Sequence, residues 1–183
     1  MEQNFIKINC LSVEQIKQLE EWTGLKCTDI VFDSNVDNWS EGTSVFNERI
    51  IGKKQLVFLI EDEDEEKFGY YLNTEVIEKY DDWIETDNKS FEFNLESNGR
   101  LEHPMKFEIK DLKVGGYGLY EKSSWFLIAL GDIGLYKENN KNESLCGQNE
   151  DKFDYHGIEN ALCGKIYYPD KFTPKRILVI QMK

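Results

Sequence analysis

Two histidines, four cysteines and a run of six acids are the residues of this 183-residue chain whose types and spacing could do chemistry. His156 lies in "FDYHGIEN", between Asp154 and Glu159, and an imidazole among carboxylates is an acid–base candidate near neutral pH. His103 stands before Pro104 at the start of an alternating segment. Neither histidine belongs to a nucleophile motif, and Ser123 and Ser124 are not set in a G-x-S-x-G turn. A histidine in such a setting is more often a surface or hydrogen-bonded loop residue. No catalytic set is therefore assigned, and His156, Asp154 and Glu159 stay as acid–base candidates only. Cys146, His156 and Cys163 come nearest to a zinc set, but they lack a C-x-x-C pair and fit no finger spacing. Cys10, Cys27, Cys146 and Cys163 read as reduced thiols, and neither a metal nor another cofactor is expected. The glycines of "VGGYGLY" and "LGDIGLY" complete no phosphate-binding pattern and read as bulges or close backbone approaches.

The acids are Glu61, Asp62, Glu63, Asp64, Glu65 and Glu66, set between the apolar run "QLVFLI" and the aromatic run "FGYYL". A calcium loop begun at Asp62 would need Gly at its sixth position and Glu at its twelfth, where the chain has Lys67 and Asn73. The six acids are expected to form a solvated hairpin tip that keeps a strand end in water and offers a surface to a basic protein partner. Charge along the chain agrees: residues 61–96 carry a net −11 of the total −13, while residues 97–183 carry +1. A surface of that sign repels phosphate backbones. Nucleic-acid binding would need Arg100, Lys106, Lys110, Lys113, Lys175 and Arg176 gathered on one face.

The elements that must hold these residues are mostly strands. "LSVEQIKQLEEWTG" reads as a helix with a Ser12–Gln15 capping box, an apolar face at Val13, Ile16 and Leu19, and a stop at Gly24. "CTDIVFD", "QLVFLI", "FGYYL", "PMKFEIK", "VGGYGLY", "WFLIAL", "IGLYK" and "KRILVIQM" read as strands, and residues 40–53 as a brief helix around Val45, Phe46 and Ile50. "SFEFNL" alternates Phe91, Phe93 and Leu95 with polar residues, which predicts a strand with one face in water. Residues 73–89 read as a polar helix or loop, with Val76, Ile77, Tyr80 and Trp83 at helical spacing. Repeating βα units are absent, so the expected fold is mainly β, a sandwich of two antiparallel sheets with a few short flanking helices. No apolar run is long enough to span a bilayer and no secretory leader is read, which makes the expected site cytoplasmic or nuclear.

The order of the pieces "WTGLKCTDIVFDSNVDNWS" (22–40), "IIGKKQLVFLIED" (50–62), "KFGYYL" (67–72), "SFEFNL" (90–95), "FLIALGDIGLYK" (126–137) and "SLCGQNEDKFDY" (144–155) resembles the TLDc domain family. The resemblance covers residues 22–183 and leaves 1–21 as a lead-in of strand and helix. The chain departs at Tyr70 and Tyr71, where that family usually has a small residue followed by one aromatic. The resemblance implies a sandwich of two antiparallel sheets, a part in resistance to oxidative stress, and for some members contact with the vacuolar proton ATPase. It supplies no catalytic residues. The expected function is a non-enzymatic protein-interaction module. The alternatives are a nucleic-acid-binding stress regulator and a hydrolase built on His156.

Overall fold

In a computed structural model that describes residues 8–164 and 170–183, two antiparallel sheets pack face to face. The first sheet contains β1 (Cys27–Asp33), β2 (Leu56–Asp62), β3 (Lys67–Leu72), β5 (Phe91–Glu96), β6 (Met105–Glu108) and β12 (Pro174–Met182), ordered β1-β12-β2-β3-β5-β6. The second contains β4 (Asp82–Ile84), β7 (Tyr117–Leu119), β8 (Phe126–Leu130), β9 (Ile133–Tyr136), β10 (Leu145–Cys146) and β11 (Asp170–Lys171), ordered β11-β10-β9-β8-β7-β4. Between them lies one apolar cluster, with Phe58, Ile60, Phe68, Tyr70 and Ile177 from the first sheet and Tyr117, Ile128, Leu130 and Leu135 from the second. The mainly β sandwich expected from alternation and short connections is the architecture found.

The first sheet is buried on both faces. Helix α1 (Val13–Thr23) lays Ile16 and Leu19 on its outer side, over Val57, Leu59, Tyr71, Phe91, Phe93 and Ile180. The capping box sets that helix: the Gln15 N–H donates to Ser12 Oγ and the Ser12 N–H to Gln15 Oε1, each at 3.1 Å, and Gly24 closes it at φ 70°. Cover on both sides explains why "QLVFLI" and "RILVI" are continuous apolar runs and not alternating ones. It also explains Gly69, where a Cβ would stand 1.9 Å from the Phe58 carbonyl oxygen on the neighbouring strand.

Residues 73–89 are not a helix, contrary to one reading of their spacing. Their backbone hydrogens go to side chains and to carbonyls elsewhere in place of a helical ladder. The Asn73 N–H donates to Ser90 Oγ (2.9 Å) and the Ile77 N–H to Tyr117 Oη (2.9 Å). Val76 enters the core, Ile77 is left exposed, and the segment runs into the short edge strand β4. A second short helix, α2 (Phe46–Ile50), seats Phe46 and Ile50 against the core, and residues 138–143 form a 3₁₀ turn. Among the described residues no helix is long and apolar enough to cross a membrane.

Candidate functional site

The titratable groups that sit deepest lie between the sheets. Glu92 is on β5, flanked by Phe91 and Phe93, which point outward beneath α1, so its own side chain points inward and is fully buried. Across the gap, the β8–β9 turn brings Asp132, and the irregular segment after β10 brings Tyr155 and Lys152. Tyr155 Oη lies 2.6 Å from Glu92 Oε2 and 2.7 Å from Asp132 Oδ2. The Asp132 N–H donates to Glu92 Oε1 (2.7 Å), the Asn149 N–H to Asp132 Oδ2 (2.7 Å), and Lys152 Nζ stands 3.2 Å from Asp132 Oδ1. Gly131 permits the approach, with φ 56° and a would-be Cβ 2.5 Å from both Glu92 Oε1 and the Phe153 ring.

A hydroxyl has one hydrogen, so Tyr155 can donate to only one of the two carboxyls that it touches. The other carboxyl must then donate to Tyr155 Oη, and for that it must hold a proton. Burial, and next the Asp132 carboxylate, push Glu92 well above the usual carboxylate range, so the proton belongs to Glu92. Burial and then the two neighbouring carboxyls also raise the Tyr155 phenol. The order is Glu92 O–H to Tyr155 Oη, Tyr155 O–H to Asp132, and Asp132 paired with Lys152. Each oxygen of the two carboxyls meets a hydrogen or a cation. What the arrangement can do is fasten one sheet to the other.

The hairpin carrying the six acids is present, but its expected solvation is corrected. Glu63, Asp64 and Glu65 are exposed; Asp62 and Glu66 are buried, and Glu61 nearly so. Asp62 Oδ1 accepts the N–H groups of Asp64 and Glu66, each at 3.0 Å, which makes the turn that joins β2 to β3. Glu66 pairs with Arg100 (3.1 Å), and Glu61 with Lys175 (3.0 Å). His156 is half exposed, with Nδ1 3.5 Å from Asp154 Oδ1, and Glu159 is exposed. The two thiols on either side of it in sequence, Cys146 and Cys163, are in the apolar core. Among the described residues no group of three or more His, Cys, Asp or Glu is placed to hold a metal ion. Four of the six basic residues that a nucleic-acid face would need are paired with carboxylates: Arg100 with Glu66, Lys106 with Glu108, Lys175 with Glu61, and Arg176 with Asp33 through two hydrogen bonds.

The site and scaffold define a two-sheet antiparallel sandwich closed by a buried carboxyl–tyrosine–carboxyl bridge. No protein-family model matches the chain, and no curated protein matches it in sequence. Sequence reading missed Glu92, Asp132, Lys152 and Tyr155. Only Glu92 has a signal, the alternation of "SFEFNL", which reads as a strand with one wet face. Both faces are dry, so Glu92 and Asn94 are interior; Asn94 donates to the Leu162 carbonyl (2.7 Å).

Proposed function

We propose that this chain is a non-enzymatic protein-interaction module of the TLDc type, serving the response to oxidative stress. The observation that carries the reading is the separation of its charges. The buried carboxyls are tied into the scaffold, while the acid surplus of residues 61–96 emerges on connections: Glu63, Asp64 and Glu65 at one hairpin, and Glu75, Glu78, Asp81, Asp82 and Glu85 beside β4. Exposed like charges on rigid turns contribute little to stability and much to partner choice and encounter rate. The partner class is a protein with a basic surface, and the resemblance of the motifs makes a vacuolar proton ATPase subunit the first to try.

The test is a crosslinked pull-down from oxidant-stressed cells, read against the combined variant Glu63→Gln, Asp64→Asn and Glu65→Gln. The expected result is a defined partner whose recovery depends on salt. In parallel, purified protein is screened over esters, phosphoesters and peptides. Turnover abolished by His156→Ala would overturn the reading in favour of a hydrolase, and a partner that proves to be a specific nucleic acid would overturn it in favour of a regulator.

A further inference from the structure

Helix α1 ends at Thr23, and its last turn encloses a hollow together with the outer face of the first sheet. Across β3, β5 and β6 the register sets Tyr71 beside Phe91 and Phe91 beside Glu108. The buried rings of Tyr71 and Phe91 are the floor, and half-buried Trp22 is one wall. Lys106 and Glu108 of β6 make another wall, and the turn at Asn88 and Lys89 a third. The volume is about 230 Å³, below the roughly 300–1,000 Å³ of sites for drug-sized ligands and suited to a single ring.

Its polar groups fall into two sets. The inner ones are satisfied within the chain and fix the shape. The Tyr71 hydroxyl donates to Asn73 Oδ1 (3.0 Å), Asn73 Nδ2 to Asp87 (2.6 Å), and the Asn73 N–H to Ser90 Oγ (2.9 Å). The outer ones are open. Among the described residues the Trp22 indole N–H, the Asn88 amide and the Lys89 ammonium have no hydrogen-bond or ion-pair partner. Lys106 and Glu108 form a largely exposed ion pair at 3.3 Å, and the Lys106 ammonium stands 5.4 Å from the centre of the Phe91 ring. An exposed pair adds little to stability and is free to turn toward a ligand.

Charge decides the class of occupant. A chain at −13 repels an anion at long range. The Lys106 ammonium over Phe91 already takes the place in which an aromatic wall would hold a foreign cation. A neutral ligand is left. It must offer an apolar face to the rings and both donors and acceptors to the rim, because Trp22, Lys89 and Lys106 donate, Glu108 accepts and Asn88 does both. A pyranose sugar has this character, with carbon-bound hydrogens on its faces and hydroxyls around its edge. Neighbouring hydroxyls match the adjacent ammonium and carboxylate of Lys106 and Glu108.

We propose that this hollow binds a neutral saccharide, stacked on the aromatic wall and hydrogen-bonded by the Asn88 amide and the Lys106–Glu108 pair. The site lies at the end of β3 away from the acidic hairpin, and the proposal does not rest on the interaction-module reading. The probes are the methyl glycosides of glucose, galactose, mannose and N-acetylglucosamine, with maltotriose and chitotriose as short chains. Each is titrated into the full chain and followed by the indole N–H signals in heteronuclear NMR spectra. At least one should bind saturably and shift the Trp22 signal most among the four tryptophans. Asn88→Ala and Glu108→Ala, both at exposed positions, should each weaken binding about tenfold. Trp22→Ala should abolish it, and Trp22→Phe, which keeps a ring, should restore part of it. Trp22 also packs on Phe91 and Phe93, so the two exposed variants decide if Trp22→Ala does not fold. A methyl glycoside that binds as tightly as the short chains marks a free sugar as the ligand, and a short chain that binds more tightly marks a glycan.

The proposal is overturned if no sugar of the panel binds, or if the exposed variants bind it as the wild type does. Binding of sodium benzoate or tetramethylammonium chloride in place of every sugar would give the hollow to a charged ligand and overturns it as well.

Discussion

Replacing Glu92 with glutamine should remove a pH dependence while keeping every hydrogen bond. In the wild type, Glu92 Oε1 accepts the Asp132 N–H and its protonated Oε2 donates to Tyr155. A glutamine offers the same acceptor and replaces the O–H with an N–H, so the bridge needs no proton from solvent. The sign follows from linkage. The folded pKa of Glu92 is raised above its ordinary 4.5, so its stabilising contribution is complete below that value and is lost as pH rises toward the folded pKa. In that window the folded chain holds one proton that the unfolded chain has released, and stability falls by about 1.4 kcal/mol per pH unit on this account. Other groups titrate in both proteins and cancel in the difference. Urea unfolding of wild type and Glu92→Gln in parallel, from pH 4.5 to 8, measures that difference directly. The two should have similar stability near pH 4.5, and the variant should gain about 1.4 kcal/mol with each unit until the wild-type carboxyl ionises. A variant less stable by more than about 1 kcal/mol throughout, with a parallel pH profile, would mean that Glu92 is ionised and accepts from Tyr155. The proton assignment would then be wrong.

The hairpin acids should divide by burial. The Glu63→Gln, Asp64→Asn, Glu65→Gln protein should melt at the wild-type temperature or slightly above it, whereas Asp62→Ala should lose about 1–3 kcal/mol in urea unfolding by stripping two N–H groups of their acceptor. Gly69→Ala should lose about 3 kcal/mol or more, or yield no folded protein, because its methyl would overlap the Phe58 carbonyl; a normal thermal melt would refute the tight strand approach. Non-specific duplex DNA should give no gel shift at physiological salt, since the chain carries −13 and four of its candidate contacts are already paired.

How much of this was legible in the sequence depends on whether a local pattern decided the outcome. Ser12, Gln15 and Gly24 act within their own helix, and they place α1 within a residue or two. Apolar runs gave β2, β3, β8 and β12, because continuous burial needs no knowledge of what covers a strand. Trp83 at helical spacing misled, since the hydrogen-bond partners that straighten residues 73–89 are Ser90 and Tyr117, distant in sequence. The bridge was illegible for the same reason. Glu92, Asp132 and Tyr155 are 23 residues or more apart, and each alone reads as a solvated acid or an ordinary aromatic. Only the helix over Phe91 and Phe93, which turns β5 around its axis relative to expectation, sends Glu92 inward.

The same reversal explains why six adjacent acids do not behave alike. A run of one residue type suggests one role, but β2 and β3 impose a different environment at each position. Asp62 ends a strand whose turn leaves two N–H groups without ladder partners, and a carboxylate oxygen satisfies both. Glu66 faces Arg100, whose guanidinium also donates to the carbonyls of Asn160 and Leu162 and so ties the hairpin to the segment that carries Tyr155. What remains exposed, Glu63 to Glu65, is half the charge that composition promised, and Lys175 already stands 3.6 Å from Glu65. The hairpin is therefore a weaker magnet than its sequence implies.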